Sequence, residues 1–193
     1  MINRILFSIF LTVVLILTPG CARKNPEITI KTEFGNIEIE LYQKKAPVTT
    51  ANFLRYVDSS LFNNGCFYRV VRMDNQPNNL VKIEVIQGGR LDETGGFSPI
   101  IHETTKKTGI LHKDGIISMA RSEPGSATSE FFICVGDQPS LDYGGKRNPD
   151  GNGFAAFGRV ISGMDIVRKI HSIPAPSQYL EKKVVIYKIV RRK

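Results

Sequence analysis

From residue 27 onward, apolar and polar residues alternate in short stretches that are separated by turn-forming residues. A period of two is typical of β-strands with one buried face. In "EITIKTEFGNIEIELY", two alternating runs flank Phe34-Gly35-Asn36, which predicts a β-hairpin. Six further strands are predicted in "CFYRVVR", "KIEVIQGG", "GIISMAR", "EFFICVG", "FAAFGRVI" and "KKVVIYKIV".

Two segments have a helical period instead. "APVTTANFLRYVDSSL" carries Pro47 near its start and Phe53, Leu54 and Val57 at helical spacing, and "GMDIVRKIHSI" is a second amphipathic segment. Residues 89–109 are predicted to be loop. The pattern therefore predicts a mainly β domain, a closed eight-stranded antiparallel barrel with a helix across each end. A two-layer sandwich is the alternative.

One predicted strand, "CFYRVVR", contains a charge where an apolar residue is expected. Strict alternation puts Phe67, Arg69 and Val71 on one face of the strand. A charged side chain on an apolar surface usually has a partner or a task. Arg69 is therefore a candidate functional residue.

The N-terminal segment has the layout of a secretory signal over residues 1–20. Arg4 precedes an apolar run that is too short for a typical membrane span. Cys21 follows the small residue Gly20, which resembles a bacterial lipobox and predicts a lipidated Cys21. Residues 21–26 would form a tether and residues 27–193 the folded domain. The expected location is the cell envelope, outside the cytoplasm and lipid-anchored; a soluble periplasmic or secreted protein and an uncleaved anchor are the alternatives.

The chain carries a formal net charge of +8. Its cations are scattered apart from "KRN" and the terminal "RRK", and no nucleic-acid-binding motif accompanies them. These cations are interpreted as solvated surface. We expect no nucleic-acid partner and a monomer.

The cysteines and histidines do not form a recognisable site. Cys66 and Cys134 each lie in an apolar run and are predicted to be buried and unpaired. His102, His112 and His171 are predicted to be surface or loop residues. "NPDGNG" superficially resembles a calcium loop but lacks the closing glutamate. We therefore expect neither a metal nor another cofactor.

Eight segments in order identify a family. "NFLRYV", "FYRVV", "VIQGG", "GIISMAR", "SEFFICVG", "SLDYGGK", "FAAFGRV" and "GMDIV" resemble the cyclophilin-type peptidyl-prolyl cis–trans isomerases over most of residues 27–190. The resemblance implies the cyclophilin eight-stranded barrel.

The resemblance also implies the roles of nine residues. It makes Arg69, Gln87 and Phe132 catalytic, with Tyr68 in place of the family's usual histidine before the arginine. The residues that would contact substrate are Val85, Ala120, Arg121, Glu130, Leu141 and Phe154.

Three departures from the family pattern give expectations about the site. Glu84 falls where the family has a phenylalanine and would make the rim of the proline pocket more polar. It is also a possible partner for Arg121, which replaces an asparagine. Glu130 replaces a glutamine, and its carboxylate is expected to hold the guanidinium of Arg69.

The resemblance implies an isomerase that acts on X–Pro bonds of exported proteins as a folding factor. Its partners would be proline-containing polypeptides and, through the lipid on Cys21, a membrane. The main alternative is a non-enzymatic proline-peptide binding module or chaperone. A structural envelope lipoprotein that reuses the fold is a third possibility.

Overall fold

The computed structural model describes residues 24–92 and 94–192. Its strands are β1 (Glu27–Thr32), β2 (Gly35–Leu41), β3 (Gly65–Val71), β4 (Val85–Gly89), β5 (Ile116–Met119), β6 (Phe131–Cys134), β7 (Ala155–Ser162) and β8 (Tyr179–Arg191).

These strands form one closed barrel in the order β1-β2-β7-β5-β6-β4-β3-β8. Every neighbouring pair is antiparallel, including β1 with β8, which closes the barrel. Closure leaves the sheet without an edge strand that could pair with another chain. The predicted barrel is confirmed, and the sandwich alternative is wrong.

The alternating residues behave as predicted in the first hairpin. Ile28 pairs with Ile39 and Ile30 pairs with Ile37, and all four side chains are fully buried. Gly35 begins β2 with a φ of 135°, a conformation that residues with a Cβ rarely adopt. The turn glycine and the matched isoleucines thus determine the register together.

Both predicted helices are present. The first, α1, spans Pro47–Asp58, with proline in the first turn, where its missing N–H costs nothing. The segment predicted to be loop contains a further helix of one turn, α2 (Thr105–Thr108), whose first turn is capped by the hydroxyl of Thr104. The last helix, α3, spans Met164–His171. The expectation of two helices therefore missed α2, which is too short to show a helical period.

An aromatic cluster joins α1 to the barrel interior. The ring of Phe53 lies 4.9 Å from that of Phe62, 5.5 Å from that of Phe131 and 5.2 Å from that of Phe157, measured between centroids. All four side chains are almost completely buried. Aromatic rings in such contact add to the free energy gained by burial alone.

Cys66 and Cys134 are both buried and neither forms a disulfide, as predicted. Burial raises the pKa of each thiol, so both remain protonated at neutral pH. They act as small apolar side chains.

The predicted signal peptide and the predicted lipidation site Cys21 lie outside the described residues. Within residues 24–92 and 94–192, no helix has the length and apolar character needed to cross a membrane.

Replacing Phe53 by alanine should lower the free energy of unfolding by about 3–5 kcal/mol, because it leaves a cavity among three other rings. Urea unfolding followed by circular dichroism measures this change. Leu80→Ala is the control, since Leu80 is fully exposed and its loss should change stability by less than about 0.5 kcal/mol. A loss below about 1 kcal/mol in Phe53→Ala would show that the aromatic cluster does not hold α1 to the barrel.

Candidate active site

The strand β3 contains a β-bulge that the sequence pattern did not reveal. Its pairing with β4 shifts register between Phe67 and Arg69, which leaves Tyr68 as an extra residue opposite Gly88 and Gln87. The pairing with β8 shifts at the same place, but there the surplus residues belong to β8, between Tyr179 and Val184. A bulge of this kind reverses the facing of all later side chains in the strand. The expectation that Phe67, Arg69 and Val71 share one face is therefore wrong for Phe67.

The bulge separates core residues from site residues. Phe67 and Val70 are fully buried in the main core inside the barrel. Arg69 lines a cavity on the outside of the barrel, and Val71 belongs to the small apolar cluster beneath that cavity. The guanidinium of Arg69 therefore lies outside the barrel, while the apolar side chains on either side of it still fill the core.

Two glutamine side chains hold the guanidinium of Arg69. Its Nη1 donates to Oε1 of Gln87 over 2.9 Å. Its Nε and Nη2 both donate to Oε1 of Gln178, over 3.2 and 2.6 Å. The acceptors of these three bonds are neutral amide oxygens, where a carboxylate from Glu130 was expected.

Gln178 is positioned by an unusual backbone conformation. Its φ is 70°, in the left-handed region that is unfavourable for residues with a Cβ. Its carbonyl oxygen accepts from the backbone N–H of Val70 over 2.7 Å, and its Nε2 donates to the carbonyl oxygen of Asn75 over 3.1 Å. The backbone next to Arg69 and the start of β8 therefore set the position of the Gln178 side chain together.

Glu130 is connected to Arg69 through two other side chains. The hydroxyl of Tyr68 donates to Oε2 of Glu130, and Nε2 of Gln87 donates to the Tyr68 hydroxyl over 2.6 Å. The bond from Gln87 to Tyr68 holds the Gln87 amide so that its oxygen, and not its nitrogen, faces Arg69. Burial and the neighbouring carboxylate raise the pKa of Tyr68, so it remains a hydrogen-bond donor. Glu130 thus orients Gln87.

All the predicted catalytic and substrate-binding residues except Glu130 line one cavity of about 220 Å³. They are Arg69, Val85, Gln87, Ala120, Arg121, Phe132, Leu141 and Phe154. Glu130 lines a neighbouring cavity of about 410 Å³. The carboxylate of Glu130 packs against the backbone of Gly89, so that a Cβ at Gly89 would come within 2.1 Å of Oε1 and would displace the Glu130 side chain.

The floor of the cavity is a small apolar cluster separate from the barrel core. The ring of Phe132 meets that of Phe154 edge to face, with centroids 5.3 Å apart. The buried members of the cluster are Val71, Ile83, Val85, Phe132, Cys134 and Leu141. This floor suits a small apolar ring.

A buried histidine supports Phe132 from behind. The ring of His112 stacks on that of Phe132 at 6.0 Å, and its Nδ1 and Nε2 hydrogen-bond with Asp142 and Ser118. The expectation that the histidines are surface or loop residues is thus wrong for His171, which is buried in α3. It is incomplete for His112, which lies in a loop but is buried.

The expected polar rim at Glu84 is not found. Ile83 and Val85 line the cavity, and Glu84 between them does not. The guanidinium of Arg121 binds Asp150, at 2.8 Å from Nη1 and 2.9 Å from Nη2, and not Glu84.

Four residues of the site were missed. Ile83, Gln178, Arg147 and Asn148 all contact the cavity or Arg69. Arg147 belongs to the "KRN" cluster that was interpreted as solvated surface, but it is half-buried. Arg147, Asn148 and Gln178 come from loops that are distant in sequence from Arg69, so neither residue type nor spacing reveals them. Ile83 directly precedes Glu84, the residue that was expected at the rim.

The arrangement has a clear chemical capacity. An apolar cavity holds a small ring, and a fixed guanidinium at its edge offers hydrogen-bond donors to a polar group attached to that ring. An X–Pro peptide bond presents both features, a pyrrolidine ring and the amide attached to it.

The ion pair beside the cavity gives a pH prediction. Hydrogen bonds from Arg121 and then from the backbone of Asn152 lower the pKa of Asp150 to about 2. Because this value lies below the ordinary aspartate value of about 3.9, the pair stabilises the fold above that pH and is lost as pH falls through about 2.

In Arg121→Gln, the Asp150 carboxyl should titrate nearer to 3.9, as measured by NMR of its side-chain carbon. Asp92 is the matched control, since a backbone N–H of Thr94 is the main cause of its lowered pKa. An Asp150 midpoint that stays at about 2 in the variant would contradict this assignment.

Comparison with known proteins agrees with this geometry. The family model of the cyclophilin type peptidyl-prolyl cis-trans isomerases matches residues 27–191. A peptidyl-prolyl cis-trans isomerase of Acinetobacter baylyi is 38% identical over 168 residues, which cover 84% of this chain and 81% of the relative. Peptidyl-prolyl cis-trans isomerase B of Escherichia coli is 32% identical over 155 residues, covering 76% and 84%.

The fold also matches a solved structure. A cyclophilin type peptidyl-prolyl cis-trans isomerase of Cryptosporidium parvum, crystallised in the presence of the dipeptide Ala-Pro, superposes with a TM-score of 0.70 at 22% identity. The match covers 86% of this chain and 99% of that one. Barrel, cavity and sequence relatives agree, and the chain belongs to the cyclophilin-type peptidyl-prolyl cis–trans isomerase family.

Proposed function

We propose that this isomerase rotates X–Pro bonds of exported polypeptides by binding the proline ring in the cavity and donating a hydrogen bond from Arg69 to the twisted amide. The observation that carries the proposal is the position of the Arg69 guanidinium at the edge of an apolar cavity, fixed by Gln87 and Gln178.

The chemistry requires selective binding of the twisted state. Rotation breaks amide resonance, against a barrier of about 18–20 kcal/mol. In the twisted state the prolyl nitrogen regains its lone pair and can accept a hydrogen bond, which the planar amide nitrogen cannot. A donor at that position stabilises the transition state more than the substrate, and so raises the rate.

Arg69 alone does not account for a large acceleration. A factor of about 10⁵ requires about 7 kcal/mol, at 1.36 kcal/mol per decade. A charge-assisted hydrogen bond contributes about 1.5–3 kcal/mol. Burial of the ring against Phe132, Leu141 and Val85 and the orientation of the peptide by Gln87 must supply the remainder.

Neutral hydrogen-bond acceptors suit an arginine that must itself donate a hydrogen bond to the substrate. A carboxylate bonded directly to Arg69 would neutralise its charge and compete with the substrate for its N–H groups. Glutamine oxygens hold the guanidinium in place and leave it a full positive charge. The Tyr68 hydroxyl keeps Gln87 in the required orientation.

The N-terminal sequence supports an extracytoplasmic role. A secretory signal over residues 1–20 followed by Cys21 would deliver the barrel to the cell envelope and attach it to a membrane. There it would act as a folding factor for exported proteins, in which X–Pro exchange without a catalyst takes tens to hundreds of seconds.

Arg69→Ala should lower kcat/KM on an Ala-Pro peptide by about 10- to 100-fold, the equivalent of one charge-assisted hydrogen bond. Arg69→Lys should recover little, because an ammonium group lacks the planar fork that Gln87 and Gln178 hold. Protease-coupled kinetics and NMR exchange both measure the rate. Peptide binding without acceleration by the wild-type protein would favour the alternative of a non-enzymatic binding module.

Gln178→Gly should lower kcat by about 3- to 10-fold with little change in KM, because Arg69 loses the acceptor of two N–H groups. The same change should leave stability unchanged or slightly raised, since glycine relieves the left-handed backbone. Ser60→Gly is the control, because Ser60 has a similar φ of 57° on the turn after α1. A variant that keeps full kcat would rule out a positioning role for Gln178.

Cys21→Ser should release the protein from the membrane fraction of a bacterial host and abolish the mass increase due to lipid. Cys66→Ala, which removes a buried thiol, should leave membrane attachment unchanged. A wild-type protein that is cleaved and recovered without lipid would instead support the soluble periplasmic or secreted alternative.

A further inference from the structure

Arg147 lies in the loop between the helical turn at Pro139–Leu141 and β7. It lines the same cavity as Arg69 and Arg121. Three guanidinium groups therefore surround a cavity whose floor is apolar. The proposed rotation uses the guanidinium of Arg69 as the hydrogen-bond donor and assigns no role to Arg147, so the presence of Arg147 at the cavity needs a separate explanation.

The three arginines differ in how their charge is compensated. Arg121 is neutralised by Asp150, and its remaining bonds go to backbone carbonyl oxygens. Arg69 donates to glutamine oxygens. Among residues 24–92 and 94–192, no carboxylate lies within 4 Å of the guanidinium of Arg147.

Arg147 is held firmly, but by one end of its guanidinium only. Its Nη1 donates to Oε1 of Gln76 over 3.0 Å and to the carbonyl oxygen of Val81 over 2.6 Å. Its backbone N–H donates to the carbonyl oxygen of Ser140 over 3.1 Å. Within the described part of the chain, Nε and Nη2 have no acceptor, so one edge of the guanidinium is free for a ligand.

Arg147 is also affected by burial and by the charge of a neighbouring arginine. Burial, and secondly the positive charge of Arg69, lower the pKa of Arg147 below its ordinary value. Two cations that face one cavity repel each other, and an anion bound at its rim would relieve that repulsion. A guanidinium edge with two free N–H groups matches the two oxygens of a carboxylate.

We propose that Arg147 forms a carboxylate-binding subsite at the rim of the proline cavity, which makes the protein prefer X–Pro segments with aspartate or glutamate next to the proline. The preference rests on the proposed function, because it assumes that the proline ring occupies the cavity. It adds substrate selection, which Arg69 does not provide.

The alternative use of Arg147 is purely structural, as a brace for the loop that contains Gln76 and Val81. Both roles use Nη1 in the same way, so a loss of activity in a variant does not separate them. The dependence of the rate on peptide charge does separate them, because a brace is indifferent to the substrate.

The test uses two series of peptides, acetylated and amidated so that no terminal carboxylate is present. One series has Glu, Gln or Lys before the proline, and the other has them after it. The wild-type protein should show a Glu-to-Gln ratio of kcat/KM of about 5 to 20 in at least one series, with Lys below Gln. The ratio should fall at high ionic strength.

Arg147→Gln should reduce that ratio to about 1, and Arg147→Lys should retain part of it. Lys146→Gln is the matched control, because it removes the same charge from the exposed neighbouring position and should leave the ratio unchanged. Thermal unfolding confirms that each variant is folded. The Glu-to-Gln ratio of kcat/KM is measured within each variant, so a change in its overall activity does not alter the ratio.

A wild-type ratio near 1 in both series, or a ratio that survives Arg147→Gln, would overturn the proposal. Neither result contradicts the proposed isomerase mechanism. That mechanism is tested separately, by whether the wild-type protein accelerates isomerisation of the Gln peptides. If Lys146→Gln lowers the ratio as much as Arg147→Gln, the preference reflects the general charge of the loop and the subsite assignment is wrong.

Discussion

Relative to its neighbour β4, the strand β3 carries one extra residue, Tyr68, which reverses the facing of every later side chain in β3. Phe67 and Val70 can therefore both fill the barrel core, while Arg69 projects over the outer cavity. Without the bulge, either the arginine would enter the core or the core would lose a large apolar side chain. Burying an unpaired guanidinium costs several kcal/mol, so the bulge makes a charged site on this strand compatible with a stable fold.

The second constraint is electrostatic, and it follows from the first. A guanidinium that faces outward must be held in place without being neutralised. Gln87 comes from β4, which pairs directly with β3, and Gln178 immediately precedes β8, the neighbour on the other side. The two side-chain amides therefore bind the guanidinium of Arg69 from the two neighbouring strands. The hydroxyl of Tyr68, the extra residue of the bulge, orients the amide of Gln87.

The barrel and its two longer helices follow from the hydrophobic period, because their apolar residues repeat at the spacing of the element that they form. The bulge does not, since alternation in "CFYRVV" fits an unbulged strand equally well. Eight of the nine residues assigned by resemblance to the family's motifs line the cavity, and Glu130 lines a neighbouring one. Gln178 lies more than a hundred positions from Arg69, and only closure of the barrel brings the two together. Arg147 was wrongly interpreted as solvated surface, because the sequence does not show which cation of "KRN" folds back to line the cavity.

The central claim is that Arg69 and Gln178 act as one unit, and a double-mutant cycle on catalysis tests it most directly. Wild type, Arg69→Ala, Gln178→Gly and the double variant are compared by kcat from NMR exchange on one X–Pro peptide. If Gln178 acts only by holding Arg69, the double variant should be no slower than Arg69→Ala alone. Losses that add in the double variant would show that Gln178 acts independently and would contradict the account of how the arginine is positioned.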